Sequence, residues 1–394
     1  MSGGGSSGSA HPGELAVGAV RALSPYVPGK PLSELERELG IEDSIKLASN
    51  ENPHGPSPAV LEAMRAALPE VWLYPDGSCH ALKGALSQRL GVPTSMLTIG
   101  NGSNDLLVLL GEAFLAPASS AVYSQYGFAV YPLVIGATGA QAIEVPALPP
   151  GAAMARGHDL AAMRAAIRPD TRLVFIANPN NPTGTWLEAA ELEAFVQGLP
   201  ATTLVVLDAA YHEYAQARGL PDTLDWAHRH ANLVQVRTFS KAYGLAGARV
   251  GYAISHPEVA EALNRVRAPF NVNSLAQAGA LAALDDAAHM QRCVQATMRE
   301  LTRVTQAIRA LGLPVGPSAA NFVLVEVGAQ AQQIYQALLE RGLIVRPLAN
   351  YALPAHLRIT IGLPAHNDRL LAALAELTAL TGVAPAEGLR RANR

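Results

Sequence analysis

The chain has 394 residues, room for two or three domains at roughly 150 residues each, and a 49% hydrophobic share with 15% charged residues excludes a disordered polypeptide. A formal net charge of −3 with scattered basic residues leaves no electrostatic footprint for nucleic acid or an anionic membrane, so small molecules are the expected partners. Cys79 and Cys293 stand outside every paired spacing of zinc or dithiol sites, and no apolar run approaches the roughly 20 residues that cross a bilayer; no metal and a reducing, cytoplasmic setting are expected.

Met1 to Ala10 is Gly/Ser-rich, has linker composition, and is expected to be disordered, with the unstructured opening running to residue 20. From Ser57 the pattern predicts a helix, with Ser57 as N-cap, Pro58 in the first turn, and Val60, Leu61, Met64 and Leu68 on one face. Further helices are predicted at Ala81 to Leu90, Ser103 to Leu115 and Asp159 to Ile167. Between them, short apolar, β-branched runs read as buried strands: Leu97 to Ile99, Ala142 to Val145, Leu173 to Ile176, Leu204 to Leu207, Leu233 to Val236 and Val250 to Ile254. Strands alternating with helices predict an α/β domain around a mostly parallel sheet, which places ligands at the carboxyl ends of the strands.

Past Asn273 the texture changes. A long helix carries Met290, Cys293, Val294, Met298, Leu301, Val304 and Ile308 at helical spacing. The strand-like Asn321 to Glu326, a helix near Ala331 to Arg341, the run Leu357 to Ile361 and a closing helix follow. A smaller α+β domain over 274–394 is expected, with the large domain over 46–273 and an arm at 21–45.

Four loops at strand ends hold unusual polar residues. Ile99-Gly100-Asn101-Gly102-Ser103-Asn104 lets backbone N–H groups face an anion at a helix start, although such a turn also occurs with no ligand. In Asn178-Pro179-Asn180-Asn181-Pro182-Thr183-Gly184 two prolines restrict the backbone around Asn181. Asp208-Ala209-Ala210-Tyr211 puts a carboxylate at the end of a buried strand, costly unless paired; taken alone, Asp208 reads as an N-cap. Thr238-Phe239-Ser240-Lys241, with Tyr243, Gly244, Gly247 and Arg249, crowds hydroxyls, a lysine and an arginine together after another strand; glycines and apolar neighbours around Lys241 favour a working amine over a solvated charge. Together these groups match the needs of pyridoxal 5'-phosphate: a lysine for the covalent imine, an acid for the pyridine nitrogen, and small donors plus an arginine for the phosphate.

The spacing of Asp208, Tyr211, Ser240, Lys241 and Arg249, with the Asn181 loop upstream, resembles the fold type I, class II aminotransferases, and among them the histidinol-phosphate aminotransferases. The resemblance runs from about Tyr26 to beyond Gly362 and is carried by Ser24-Pro25-Tyr26-Val27-Pro28-Gly29-Lys30, Ala48-Ser49-Asn50-Glu51-Asn52-Pro53, Tyr74-Pro75-Asp76, Arg237 to Arg249, and Leu357-Arg358-Ile359-Thr360-Ile361-Gly362. It implies Lys241 as the cofactor lysine and proton carrier, Asp208 at the pyridine nitrogen, Asn181 and Tyr211 at the ring hydroxyl, and Tyr126 stacked on the ring. It further implies Ser103, Asn104, Thr238, Ser240 and Arg249 at the phosphate, Tyr74 reaching over from a second subunit of a homodimer, Arg358 with Arg346 and Tyr26 at the substrate anion, and Asn181 at the substrate as well. The 21–45 arm is expected on the small domain and the partner subunit. One position departs from the family: Ala209 stands where Asp-Glu-Ala-Tyr is typical, which we read as a tuned or relaxed site, not a dead one, because the chemistry does not demand that glutamate.

The implied reaction is transamination between histidinol phosphate and 2-oxoglutarate by ping-pong half-reactions. Threonine-phosphate decarboxylation and aromatic amino acid transamination are the alternatives on the same scaffold. A regulator built on an idle aminotransferase domain is disfavoured, since no DNA-binding domain precedes residue 30 and Lys241, Asp208 and Arg249 are in place. His212, His54, His80 and Asp76 read as strand-end, turn and surface residues.

Overall fold

The computed structural model describes residues 11–381, so the expectation for Met1 to Ala10 lies outside the described residues. A seven-stranded sheet forms the centre, in the order Leu97–Gly100, Gly251–Ile254, Leu233–Thr238, Leu204–Asp208, Thr171–Ala177, Ser120–Ser124 and Gln141–Val145. Gly251–Ile254 runs antiparallel to both of its neighbours, and the other adjacent pairs are parallel. The fold is the expected α/β class. Along Thr171–Ala177 successive side chains alternate between two cores: Leu173 and Phe175 join Leu106, Leu110 and Val134 on one face, and Val174 and Ile176 join Leu192 and Phe195 on the other. A strand with both faces covered carries an unbroken apolar run because neither face meets water.

The predicted helices form close to their expected bounds. Ser57 caps Pro58–Ala67 through its side chain, and Asp159 caps Leu160–Ala165. Among the elements not predicted are the strand Ser120–Ser124 and the helices Val130–Ala137, Ala189–Gln197 and Pro257–Val266. Val130–Ala137 is apolar nearly all round and Ser120–Ser124 is buried throughout, so neither offers a two-sided periodicity to read.

The second unit is a three-stranded antiparallel sheet, Arg346–Leu348, Leu353–Thr360 and Phe322–Glu326, covered by Ala287–Ala310, Ala331–Leu339 and Pro364–Thr381. Leu301, Val304, Ile308, Val323, Leu338, Ile359 and Leu374 fill its core. The boundary differs from the expected Asn273. Helix Ser274–Asp285 packs Ala276, Ala280 and Ala283 into the core that holds Val60, Leu82 and Leu97, so it belongs to the large unit. Leu35 of Leu32–Leu39 is buried with Leu339 and Ile344, and Ile45–Lys46 pairs in parallel with Leu343–Ile344. Residues 11–20, expected to be unstructured, contribute two short helical pieces, Pro12–Leu15 and the start of Gly18–Arg21. Among the described residues no helix is long and apolar enough to cross a membrane.

Candidate active site

Parallel strands deliver their carboxyl ends to one edge of the sheet, and a cavity of about 270 Å³ opens there between the two units. Ala177, Asp208 and Thr238 line it from strand ends, and Ser103, Asn104, Pro179, Asn181, Ala210, Tyr211, Ser240 and Lys241 from the loops and helix starts that follow.

Lys241 sits in the middle, its Nζ donating to the Ser49 carbonyl at 3.1 Å. Burial disfavours the ammonium, and the Arg358 guanidinium adds to that, so the amine's pKa falls to about 8. Asp208 is buried at the end of its strand; Tyr131 Oη donates to its Oδ2 at 2.9 Å and the Ala210 N–H to its Oδ1 at 3.2 Å. Neither donor is a cation, and burial pushes this carboxyl up. The acid is not an N-cap: the next helix, His212–Ala217, starts after Tyr211. Tyr211 Oη accepts from Asn50 Nδ2 at 2.8 Å, its ring lies edge-on to Phe322, and burial raises its phenol.

An anion cradle lies at the start of helix Ser103–Phe114, where Ser103 and Asn104 line the cavity with Thr238, Ser240 and Arg249. Gly102, the N-cap, has φ of 83°, and a Cβ there would clash with Arg249 Nη2, so glycine is what lets the guanidinium lie against the helix start. Arg249 Nη1 donates to Ser240 Oγ at 3.3 Å and to the Ala246 carbonyl at 3.0 Å.

The small unit contributes two arginines. Arg346 and Arg358 stand directly opposite each other on antiparallel strands, both are buried, and among the described residues neither has a carboxylate in ion-pair range. Two guanidiniums so placed repel each other and point to an anion between them. Arg358 Nη1 donates to Asn181 Oδ1 and its Nη2 to the Ala48 carbonyl; Arg346 Nη2 donates to the Val27 carbonyl and its guanidinium lies 5.9 Å from the centre of the Tyr26 ring. The segment Ala48–Glu51 therefore forms one wall, fastened to both units. Asn50, at φ of 58°, anchors it by bonding Thr360 and accepting from Asn321.

A model of the aminotransferase class I and II family matches residues 42–376. The chain belongs to this family. A "Histidinol-phosphate aminotransferase 2" of Pseudomonas fluorescens is 54% identical over 367 residues, 93% of this chain and 98% of that one. A "Histidinol-phosphate aminotransferase 1" of Nitrosococcus oceani is 51% identical over 361 residues, 92% of this chain and 96% of that one. Among solved structures, the histidinol-phosphate aminotransferase of Sinorhizobium meliloti in complex with pyridoxal-5'-phosphate superposes with a TM-score of 0.85 at 33% identity, covering 93% of this chain and 98% of that one.

This aminotransferase brings Lys241, Asp208, Tyr211, Asn181, Ser103, Asn104, Thr238, Ser240, Arg249, Arg346, Arg358 and Tyr26 to one cavity. Tyr126 is elsewhere, and Tyr74, expected at the cavity of a second subunit, is off its own. Tyr126 does not line the cavity; the turn closed by Gly127 N to the Ser124 carbonyl sends it toward Leu324, Leu348 and Leu353, and Phe128 lines the cavity instead. Tyr74 is 83% exposed, stacked on Phe270 at 4.7 Å, and does not line the cavity of its own chain. Tyr131 and Asn50 were missed, because each acts from a distant part of the chain. Ala209 is buried without lining the cavity, so the departure at that position lies outside the reacting space. His212 faces Asp222 at 3.4 Å, and Asp76 caps the turn before His80–Leu90.

Proposed function

We propose that this aminotransferase transfers the amino group of histidinol phosphate to 2-oxoglutarate, giving imidazole-acetol phosphate and L-glutamate, a step of histidine biosynthesis. The carrying observation is the buried pair Arg346 and Arg358, facing each other with no carboxylate partner among the described residues. A phosphate or a carboxylate meets a guanidinium with two hydrogen bonds, so one pocket serves the phosphate of one substrate and the distal carboxylate of glutamate in turn. Relatives bearing the histidinol-phosphate aminotransferase name over more than nine-tenths of both chains support the same reading.

The residues present fit pyridoxal 5'-phosphate. Asp208 is a buried carboxylate hydrogen-bonded by no cation, which suits a protonated ring nitrogen, and the Gly102 position is shaped around the Arg249 guanidinium as a phosphate cradle requires. When bound, the cofactor supplies an electron sink for the pair left behind as a proton leaves the substrate carbon. Lys241, with its pKa lowered to about 8, has an appreciable fraction of free amine near neutral pH, as covalent capture and proton transfer both demand. Its Nζ would take and return the proton of the substrate's amine-bearing carbon. Asp208 would hold the ring nitrogen, and Asn181 and Tyr211 the ring hydroxyl. Ser103, Asn104, Thr238, Ser240 and Arg249 would hold the cofactor phosphate, while Arg358, with Arg346 and Tyr26, would turn the substrate toward Lys241.

A homodimer completes this reading. Val71, Trp72, Leu73 and Tyr74 are exposed in a row beside exposed Phe270, an apolar face that a second copy would cover, with Tyr74 reaching the neighbouring phosphate cradle. Trp72→Glu should shift the protein toward monomer in sedimentation and lower activity; a monomeric, fully active wild type would refute the arrangement. The free, buried Cys79 and Cys293 suit the reducing cytoplasm.

The test of the reaction is a substrate panel. Glutamate should change the cofactor's visible absorbance with release of 2-oxoglutarate, and kcat/KM for histidinol phosphate should exceed that for phenylalanine and O-phospho-threonine. No spectral change with glutamate, a preference for phenylalanine, or release of carbon dioxide from O-phospho-threonine would overturn the assignment.

A further inference from the structure

Helix Val130–Ala137 is apolar except for Tyr131, whose ring is fully buried. The ring stacks on Phe175 with centroids 4.9 Å apart and planes 15° apart, and the cavity-lining Phe128 meets it edge-on at 5.9 Å. Phe175 stands on the strand beside the one that Asp208 closes, where Ala177 is the register partner of Asp208. Glycine at 127 lets the chain pass close to the ring, since a Cβ there would lie 3.2 Å from Tyr131 Cδ2. Held on these sides, the ring directs Oη to Asp208 Oδ2 at 2.9 Å, and among the described residues Oδ2 has no other hydrogen-bond donor. Phenylalanine would keep every ring contact, so packing does not account for the hydroxyl.

We infer that Tyr131 is a positioning residue acting through Asp208: its hydroxyl holds the carboxyl ionised, so the proton between Asp208 and the cofactor's ring nitrogen stays on the nitrogen. The inference rests on the assignment of Asp208 to that nitrogen. Burial draws the carboxyl toward its neutral form, and the Tyr131 hydrogen bond is the largest influence drawing it back, ahead of the Ala210 N–H and the Lys241 ammonium. A neutral acid that kept the proton would leave the ring uncharged and weaken it as an acceptor of electrons. An arginine or lysine could hold the carboxylate as firmly, but its charge would repel the protonated ring; a phenol holds it without that repulsion. The phenol is suited to donate, because burial and the neighbouring carboxylate keep its own pKa well above the ordinary value and the proton stays on Oη. Tyr211 and Tyr351, the other titratable groups near it, carry no charge at neutral pH.

Holoenzyme loaded with pyridoxal phosphate carrying nitrogen-15 in its ring reports the proton's place directly, because that nitrogen's chemical shift depends on protonation. In Tyr131→Phe the signal should move from the wild-type position toward that of an unprotonated pyridine, and kcat/KM should fall by about 10- to 100-fold, the range of a hydrogen bond to an ionised group. In Asp208→Asn the group Tyr131 acts on is gone, so adding Tyr131→Phe should leave the signal in place and change turnover less than about threefold. Cofactor-free protein gives a second reading. The folded-state pKa of Asp208, already above its unfolded value, should rise further without its donor, so the variant's Tm should fall more steeply with rising pH than the wild type's. An unmoved nitrogen signal, parallel pH profiles of Tm, or equal turnover losses in both backgrounds would overturn the inference and reduce the hydroxyl to a structural feature. An Asp208→Asn holoenzyme whose nitrogen signal matches the wild type's would instead remove Asp208 from the ring nitrogen, and the inference with it.

Discussion

Replacing Arg358 by lysine tests the anion pocket most directly. The substitution keeps one positive charge at the site and discards the planar fork, whose two ends now grip Asn181 Oδ1 and the Ala48 carbonyl. An ammonium serving the same neighbours and an incoming anion loses at least one charge-assisted hydrogen bond to the ligand, about 1.5–3 kcal/mol, or roughly 10- to 150-fold in kcat/KM. In the proposed reading one pocket receives the phosphate of histidinol phosphate and the carboxylate of glutamate, so both half-reactions should slow by comparable factors. Stopped-flow measurement of each half-reaction, with thermal unfolding recorded alongside, separates catalysis from folding. Stability should hardly change: Arg358 faces Arg346 across the strand pair, and burial lowers its pKa, so its charge does not stabilise the fold. A Tm change within about 4 °C, the shift of roughly 1 kcal/mol in a domain of this size, is expected. Loss confined to one substrate, or below about threefold for both, would refute the shared pocket; a larger drop in Tm would refute the electrostatic argument.

Three further outcomes follow from the same geometry. The rate at which cofactor-free protein captures pyridoxal phosphate should rise with pH through about 8 and then level off, because the Lys241 amine has lost its proton there; a rise continuing to about 10.4, as for an ordinary lysine, would contradict its burial. Gly102→Ala forces a Cβ into Arg249 at a φ of 83°, so cofactor affinity should fall at least about tenfold and stability by about 1 kcal/mol, read by fluorescence titration and Tm. Asp208→Asn should still capture the cofactor while turnover falls by more than about 10²-fold. In cofactor-free protein the same substitution should raise Tm at neutral pH: the folded-state pKa of Asp208 lies above its unfolded value, so the ionised carboxyl opposes folding once the pH exceeds its ordinary range, and asparagine removes that penalty.

Much of this site was legible because its residues lie on short loops straight after strands, where turn chemistry and buried β-branched runs mark the ends. Asp208, Asn181 and Lys241 each fall within a few residues of such an end. Tyr126 was placed wrongly because a turn of the chain decides which of two neighbouring aromatic residues faces the cavity, and Tyr126 and Phe128 have similar local signals. Tyr131 supports Asp208 from a helix whose eight residues are almost all apolar, so neither its helicity nor its hydroxyl's target could be read from spacing. The boundary at Asn273 failed for a related reason. Ser274–Asp285 is a helix rich in small residues, and its partner, Pro58–Ala67, is determined by close packing such as Gly279 against Met64.

The charges around the cavity form a cast of what it holds. Lys241, Arg249, Arg346 and Arg358 line it, against the carboxylates Asp208 and Glu51. Like charges gathered in a partly buried space oppose folding unless anions arrive; at Lys241 burial disfavours the ammonium first, and the Arg358 and Arg249 guanidiniums add to it. In the proposed reading, a cofactor phosphate at Arg249 and a substrate anion at Arg358 would each cancel positive charge, while a protonated ring nitrogen would cancel the buried negative charge of Asp208. The positions that compensate are spread over two units and several loops, each unfavourable alone and favourable in the presence of its ligand. That distribution is why the site reads as chemistry: no arrangement selected for stability alone would bury two facing guanidiniums without an acid between them.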